Sequence, residues 1–243
     1  MKKTTYILIL SLLFTNTNFS QSNSISPPDN YLGSWLMYFG THHLNDKYSI
    51  HYETQLRNYE PINNFFQLLP RVGLNYKIDD NSMVTSGYAF IPTQTDLDRG
   101  WGDNMVTENR IWEQFILRNS IGNIKIRHRY RLEQRWIKSQ FQLNQINPVR
   151  NTTYKNRARY MLSLKIPLSK NKDFPLFLSI YDEIFINISD APFNQNRLYG
   201  AIGYQMNDNA NIQLGYLKHH NTVSTEIQNL NRLQLAIFLN TGN

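Results

Sequence analysis

Between Ile124 and Trp136, Arg127, Arg129, Arg131, Glu133 and Arg135 recur at every second residue, and just upstream Glu108, Arg110 and Arg118 fall on one parity of their own. Glu108, Glu133 and Glu183 invite a reading as acid–base catalysts, but carboxylates set among arginines suit ion pairing better than proton donation. His42, His43, His51, His128, His219 and His220 offer bases without an evident serine partner, and nucleophilic catalysis needs base and nucleophile within hydrogen-bond reach. The chain contains no Gly-x-Ser-x-Gly elbow and no His-x-Ser-Asn-Gly stretch. The pairs His42-His43 and His219-His220 suggest a metal, yet adjacent residues of a strand point to opposite faces, so neither pair can chelate as a unit outside a loop. With no Cys, thiolate metal sites, cysteine nucleophiles and disulfide scaffolds are excluded. No catalytic residue, metal or cofactor is expected; the chemistry left to these residues is charge pairing and the attraction of anions.

What must position them is a set of strands. From residue 31 onward apolar residues recur with period two, giving eleven candidate strands at 31–42, 48–59, 64–78, 82–93, 107–121, 124–137, 155–167, 175–188, 196–206, 210–220 and 227–240. On 124–137, Ile124, Ile126, His128, Tyr130, Leu132 and Trp136 share one face, while Lys125, Arg127, Arg129, Arg131, Glu133 and Arg135 share the other. The same division sets Phe66, Leu68, Pro70, Val72, Leu74, Tyr76 and Ile78 against Gln67, Arg71, Asn75 and Lys77. Glu113 and Asp182 break the rule by falling on the apolar parity, as a bulge or an interfacial position would allow.

The connections alternate in length. Short turns near 45–47, 79–81, 122–123, 169–173 and 207–209 carry Asn, Asp and Gly, and longer loops are expected at 94–106, 138–154, 189–195 and 221–226. That alternation predicts an all-β fold: a single transmembrane antiparallel β-barrel of ten to twelve strands with short periplasmic turns. A soluble barrel with the apolar face inside fits the alternation too. Two features favour the membrane: strands of this length match a tilted span of the hydrocarbon, and no helix or long loop segment is available to cover a second layer. Aromatic residues near strand ends, Trp35, Tyr59, Tyr76, Trp136 and Phe238, are expected to form interfacial girdles. An eleventh strand is awkward, because bacterial single-chain barrels normally have even counts; the segment 31–41 is the odd one, since it starts the chain on the long-loop side.

Composition agrees with an exported barrel. Among 243 residues, 41% are apolar, 13% aromatic and only 18% charged, with a formal net charge of +7. Lys2 and Lys3 followed by an apolar run from Tyr6 to Phe14 have the order of a secretory signal peptide, too short to span a bilayer. The expected organisation is a signal at 1–20, a short N-terminal segment at 21–30 and a barrel domain at 31–243.

Several landmarks, Trp35, Arg71-Val-Gly-Leu-Asn-Tyr76, Gly87-Tyr88, Glu108-Asn-Arg-Ile-Trp-Glu-Gln114, Arg127 to Arg135, Arg157-Ala-Arg-Tyr160, Asp182-Glu-Ile-Phe185 and Asn196-Arg197, resemble outer-membrane β-barrels of domain of unknown function family 2490. The resemblance implies an exported integral outer-membrane protein of a Gram-negative bacterium, with outer-membrane lipid and the barrel-assembly machinery as its partners, and implies no established chemistry. Nucleic acid is not an expected partner, because strict alternation hides the arginines from anything outside the barrel. The sequence leaves the oligomeric state open.

If Gly122-Asn123 closes a hairpin, Arg118 faces Arg127, Gln114 faces Arg131, Trp112 faces Glu133 and Arg110 faces Arg135. Opposed like charges are destabilising, so carboxylates should lie between them. By parity Glu53, Glu108, Glu133 and Glu183 point inward with Arg57, Arg71, Arg110, Arg118, Arg127, Arg129, Arg131, Arg135, Arg157, Arg159, Arg197 and Arg232. This lumen charge network either fills and stiffens a narrow barrel or, through its excess of cations, forms a conduit or cavity for anions. A soluble periplasmic barrel holding a small ligand and an outer-membrane lipid-modifying enzyme are the other readings.

Overall fold

A computed structural model describes residues 32–94, 105–142, 148–169, 175–188, 193–223 and 226–242. The export signal and the N-terminal segment assigned to 1–20 and 21–30 lie outside the described residues, as does most of the loop at 94–106. Eleven strands run through the described residues: β1 Leu32–His43, β2 Tyr48–Asn58, β3 Phe65–Lys77, β4 Ser82–Gln94, β5 Met105–Ile121, β6 Ile124–Gln142, β7 Pro148–Pro167, β8 Leu176–Asn187, β9 Phe193–Asn207, β10 Ala210–Val223 and β11 Glu226–Thr241.

Each strand pairs antiparallel with its chain neighbour, and β1 closes the barrel against β11. That last pairing is parallel, in register from Leu32↔Asn231 to His42↔Thr241. The parallel seam follows from the odd count: after an even number of reversals the last strand runs in the direction of the first, so the sheet closes only if those two lie parallel. The expectation of a purely antiparallel barrel is corrected at this one seam, and the strand at 31–42 that spoiled the parity is a full member of the wall.

Strand boundaries depart most where long loops were expected. β6 and β7 pair as far as Gln142↔Pro148, and β10 and β11 as far as Val223↔Glu226, so most of 138–154 and 221–226 is strand. Polar residues such as Asn151, Thr152, Asn221 and Thr222 remain paired there because a ladder satisfies the backbone whatever the side chains. The opposite rim keeps tight turns. In one of them the Asp79 carboxylate accepts hydrogen bonds from the Ser82 hydroxyl and from the amides of Asn81 and Ser82, each at 2.7 Å. The Ser82 hydroxyl and those amides hold the Asp79 carboxyl below its ordinary range.

The hairpin at Gly122 forms with the expected register: Arg118↔Arg127, Gln114↔Arg131, Trp112↔Glu133 and Arg110↔Arg135 are direct partners. Gly122 has φ of 57°, a conformation glycine reaches without a Cβ clash.

Alternation orients the side chains as expected on every strand. Val72, Leu74, Tyr130, Leu132, Ile202 and Leu214 are exposed on the outer wall, whereas Glu53, Arg71, Arg131, Glu133, Arg157 and Glu183 are buried inside. Glu113 and Asp182 do point outward, with no bulge at either; Gln134 on β6 donates to Glu113 at 3.2 Å and Asn196 on β9 donates to Asp182 at 3.1 Å. A neighbouring amide thus covers each outward carboxylate.

The aromatic girdle needs correction. Tyr76 is exposed on the outer wall and Trp136 packs against Tyr154 with ring centroids 5.2 Å apart. Trp35 and Tyr59 are instead buried, and Phe238 stacks on Phe39 at 4.7 Å on the inward parity. The inward aromatics belong to apolar clusters that the charge pattern conceals. One joins Trp35, Met37, Tyr199, Ala201, Leu217 and Ala236; the other joins Leu69, Ala89, Ile91 and Trp112. The interior is a packed core in which charged and apolar side chains are interleaved.

Candidate functional site: the charged lumen

Three glutamates and five arginines on β5 to β8 form a continuous ion-pair network. Glu133 is its hub: Arg159 Nη1 lies 2.6 Å and Arg110 Nη1 3.2 Å from Oε1, while Arg157 grips Oε2 with Nη2 at 2.6 Å and Nε at 2.9 Å. Arg110 continues to Glu108 at 2.6 Å, and Glu108 also takes two bonds from Arg135, at 2.8 and 2.9 Å. On the other side Arg159 reaches Glu183 through Nε and Nη2 at 2.9 and 2.7 Å, and Arg129 joins that carboxylate at 2.6 Å. The Glu133 side chain has no solvent exposure and that of Glu183 has 4%. Taking a carboxylate out of water costs several kcal/mol, so two or three guanidinium contacts each are what make these positions tenable.

The alternating pattern explains the wiring. Arg135 faces Arg110, Glu108 stands two residues from Arg110 on β5, and Glu133, opposite Trp112, stands two residues from Arg135 on β6, so each carboxylate lies diagonal to the like-charged pair it separates. The expectation that carboxylates relieve opposed arginines therefore holds for Arg110 and Arg135. It fails for Arg118 and Arg127: neither reaches a carboxylate among the described residues.

Across the lumen, Glu53 on β2 accepts from Arg71 at 2.9 Å and from Gln55, and lies 3.2 Å from His51 Nε2. The remaining cations lean on neutral groups. Arg57 donates to Gln55 and to Gln67, the latter at 2.7 Å. Arg131 donates twice to Gln114, at 2.6 and 3.1 Å, and Arg197 to Gln195 at 3.1 Å. Arg232 is buried beside Gly33, where a Cβ would meet its Nη1 at 2.7 Å, and its Nη1 donates to the Asn231 carbonyl at 3.0 Å.

Aromatic rings carry much of this charge. The guanidiniums of Arg57 and Arg197 lie 3.9 and 4.9 Å from the Trp35 ring centre, and those of Arg131 and Arg71 lie 4.7 and 5.4 Å from that of Trp112. Phe185 is approached by Arg159 at 4.3 Å, Arg197 at 4.5 Å and Arg157 at 5.1 Å. Such contacts contribute about 2 kcal/mol each when desolvated. Trp112 has room to lie flat because Gly73 and Gly87 face each other beneath it. A Cβ on Gly87 would stand 2.6 Å from the indole and 2.3 Å from the Val72 carbonyl oxygen.

All sixteen residues expected in the lumen lie on inward positions, but their company differs. Glu108, Arg110, Arg129, Glu133, Arg135, Arg157, Arg159 and Glu183 form the network; Glu53 and Arg71 pair apart from it; Arg57, Arg131 and Arg197 depend on amides and rings; Arg118 is exposed at the rim with half-buried Arg127 beside it. Reasoning from charge left out Gln55, Gln195 and the platforms Trp35 and Phe185, and it gave Gln67, Gln114 and Trp112 inward positions without a role. Their signal was available, since each shares the inward parity of the arginine it serves. The His219-His220 pair divides as its strand requires: His219 is buried inside, edge-on to Trp35 at 6.2 Å and 3.3 Å from Gln195 Oε1.

Comparison with known proteins gives kinship without a function. No solved structure matches. An uncharacterized protein of Methylorubrum extorquens is 22% identical over 173 residues, which covers 68% of each chain. The model of a family described as "Protein of unknown function (DUF2490)" matches residues 32–231, from the first residue of β1 into β11, and the chain belongs to that family.

Proposed function

We propose that this protein is an integral outer-membrane barrel, exported on a cleaved N-terminal signal and inserted by the barrel-assembly machinery, whose lumen is closed at mid-height by the Glu133 network and whose role is structural or transport-related. The observation that carries the reading is the placement of polarity. Leu132 is 49% exposed on the outer wall, while Glu133 beside it is 1% exposed within. In water that arrangement would leave a wide apolar belt uncovered, far beyond the few hundred Å² that monomeric soluble proteins tolerate. Against acyl chains it is the stable one, because lipid covers the apolar wall and the interior satisfies its own charges.

Leu132→Arg separates this reading from a soluble barrel. In a bilayer the substitution is expected to cost about 2–4 kcal/mol, measured by urea unfolding in lipid vesicles. A soluble barrel would accept an arginine at this exposed position with no measurable loss, and that result would remove the membrane assignment.

The closed lumen has its own test. Wild-type protein reconstituted in planar bilayers is expected to give no steady single-channel conductance, because side chains rather than water occupy the section around Glu133. Stable anion-selective openings would show that the lumen is a conduit.

A further inference from the structure

We propose that the short-turn mouth of the lumen is a binding site for an oxyanion of the phosphate type carrying two or more negative charges. The inference rests on the closed-lumen reading above, which makes this mouth a blind funnel.

On β6, Lys125, Arg127, Arg129 and Arg131 form a column directed inward, with steps of about 6.8 Å as strand geometry requires. Arg118 on β5 sits directly opposite Arg127, and Lys165 on β7 directly opposite Lys125. Two like-charged pairs are thus stacked in consecutive inward rows, an arrangement that costs stability unless an anion lies among them. Exposure falls along the column: Arg118 and Lys125 are open to solvent, Arg127 and Arg129 are half-buried and Arg131 is 3% exposed.

The protein does not supply the missing charge among its described residues. Of these six cations only Arg129 reaches a carboxylate, Glu183. Lys165 donates to Gln205 at 2.7 Å and sits 3.8 Å from the centre of the Phe177 ring. Arg131, at the floor of the funnel, is bonded only to the neutral Gln114, and its Nη1 is buried without a partner. The acids of the neighbouring turn are engaged elsewhere: Asp80 with Lys77 at 2.6 Å and Asp79 with Ser82. The other inward glutamates, Glu53, Glu108 and Glu133, already hold Arg71, Arg135 and Arg157.

Ser163 is the cross-strand partner of Arg127, and Ser179 that of Lys165, so hydroxyl donors interleave with the cations. One carboxylate would neutralise one cation of this set. A phosphate or diphosphate presents several oxygens that guanidinium forks grip in pairs, and low-dielectric walls focus the field towards it.

The test uses the full mature chain refolded in zwitterionic detergent and titrated calorimetrically with inorganic pyrophosphate at constant ionic strength. Saturable binding is expected, weakened about tenfold or more by Arg118→Gln and by Lys125→Gln, since a bond to a charged group is worth about 1.5–3 kcal/mol. Lys218→Gln, on the outer face, is expected to bind as the wild type does. Because both rim variants remove a like-charge opposition, they are expected to melt at or above the wild-type temperature in pyrophosphate-free buffer, which separates lost binding from lost folding. Heats indistinguishable from a sodium chloride titration, or rim variants that bind as tightly as wild type, would overturn the site. Displacement of pyrophosphate by phosphatidylglycerol in the micelle assigns the phosphate to a lipid headgroup; binding unaffected by that lipid assigns it to a soluble anion. A conducting wild type would sink the closed lumen yet leave the titration readable.

Discussion

Replacing Glu133 with glutamine is expected to destabilise the barrel by about 3–5 kcal/mol, the usual consequence of removing one partner from a buried ion pair. The side chain keeps its shape, so the effect isolates charge. Glu133 accepts from Arg110, Arg157 and Arg159, and among the described residues it is the one carboxylate that Arg157 reaches. Arg110 and Arg159 retain Glu108 and Glu183; among the described residues Arg157 keeps a 3.2 Å bond to Asn194 and its contact with Phe185. Unfolding in detergent, followed by the heat-dependent mobility shift of a barrel on gels, measures the loss. A double variant, Glu133→Gln with Arg157→Gln, should recover part of it, because the orphaned charge is gone. If glutamine is tolerated within about 0.5 kcal/mol, the typical spread of surface substitutions, the lumen is far wetter than its burial indicates.

Trp112→Ala is expected to cost about 3–5 kcal/mol by a different route, the cavity left by a buried indole. Trp112 has no exposure, packs with Leu69, Ala89 and Ile91, and lies beside the guanidiniums of Arg71 and Arg131. Gly87→Ala should be damaging as well, through the close approach of its Cβ to the Val72 carbonyl and to the indole. The double variant should lose less than the sum of the two single losses, since deleting the ring relieves its clash while the backbone contacts with Val72 and Gly73 persist. A double-mutant cycle read by chemical unfolding measures the coupling. Strict additivity would mean that the ring does not rest on the glycine pair.

The division between the faces was legible residue by residue. Strand period is local, so the separation of Leu132 and Glu133 onto opposite faces follows from the alternation of side chains, whatever the rest of the chain does, while the alternation alone fits either face turning inward. The Gly122 hairpin was equally legible, because a two-residue connection leaves one register available and thereby sets Arg110 opposite Arg135. Strand ends were less so: at 138–154 and 221–226 the residues are polar and turn-prone, yet the ladder carries them because their partners continue too.

Closure lay beyond local reading. Whether the strand from Leu32 joins the wall, and against which neighbour, is a property of the sheet as a whole. The parallel β1 and β11 seam exists because the eleventh strand arrives beside the first with both pointing the same way. The company each arginine keeps is tertiary for the same reason. Arg131 and Arg159 are direct cross-strand partners, yet Arg159 meets two glutamates and Arg131 only a glutamine and an indole.

By itself the amino-acid order determined which side chains share a face, because that depends on a two-residue repeat. The barrel's closure decided which of the inward charges are neutralised and which remain bare at the mouth, because contacts across a lumen join residues far apart along the chain.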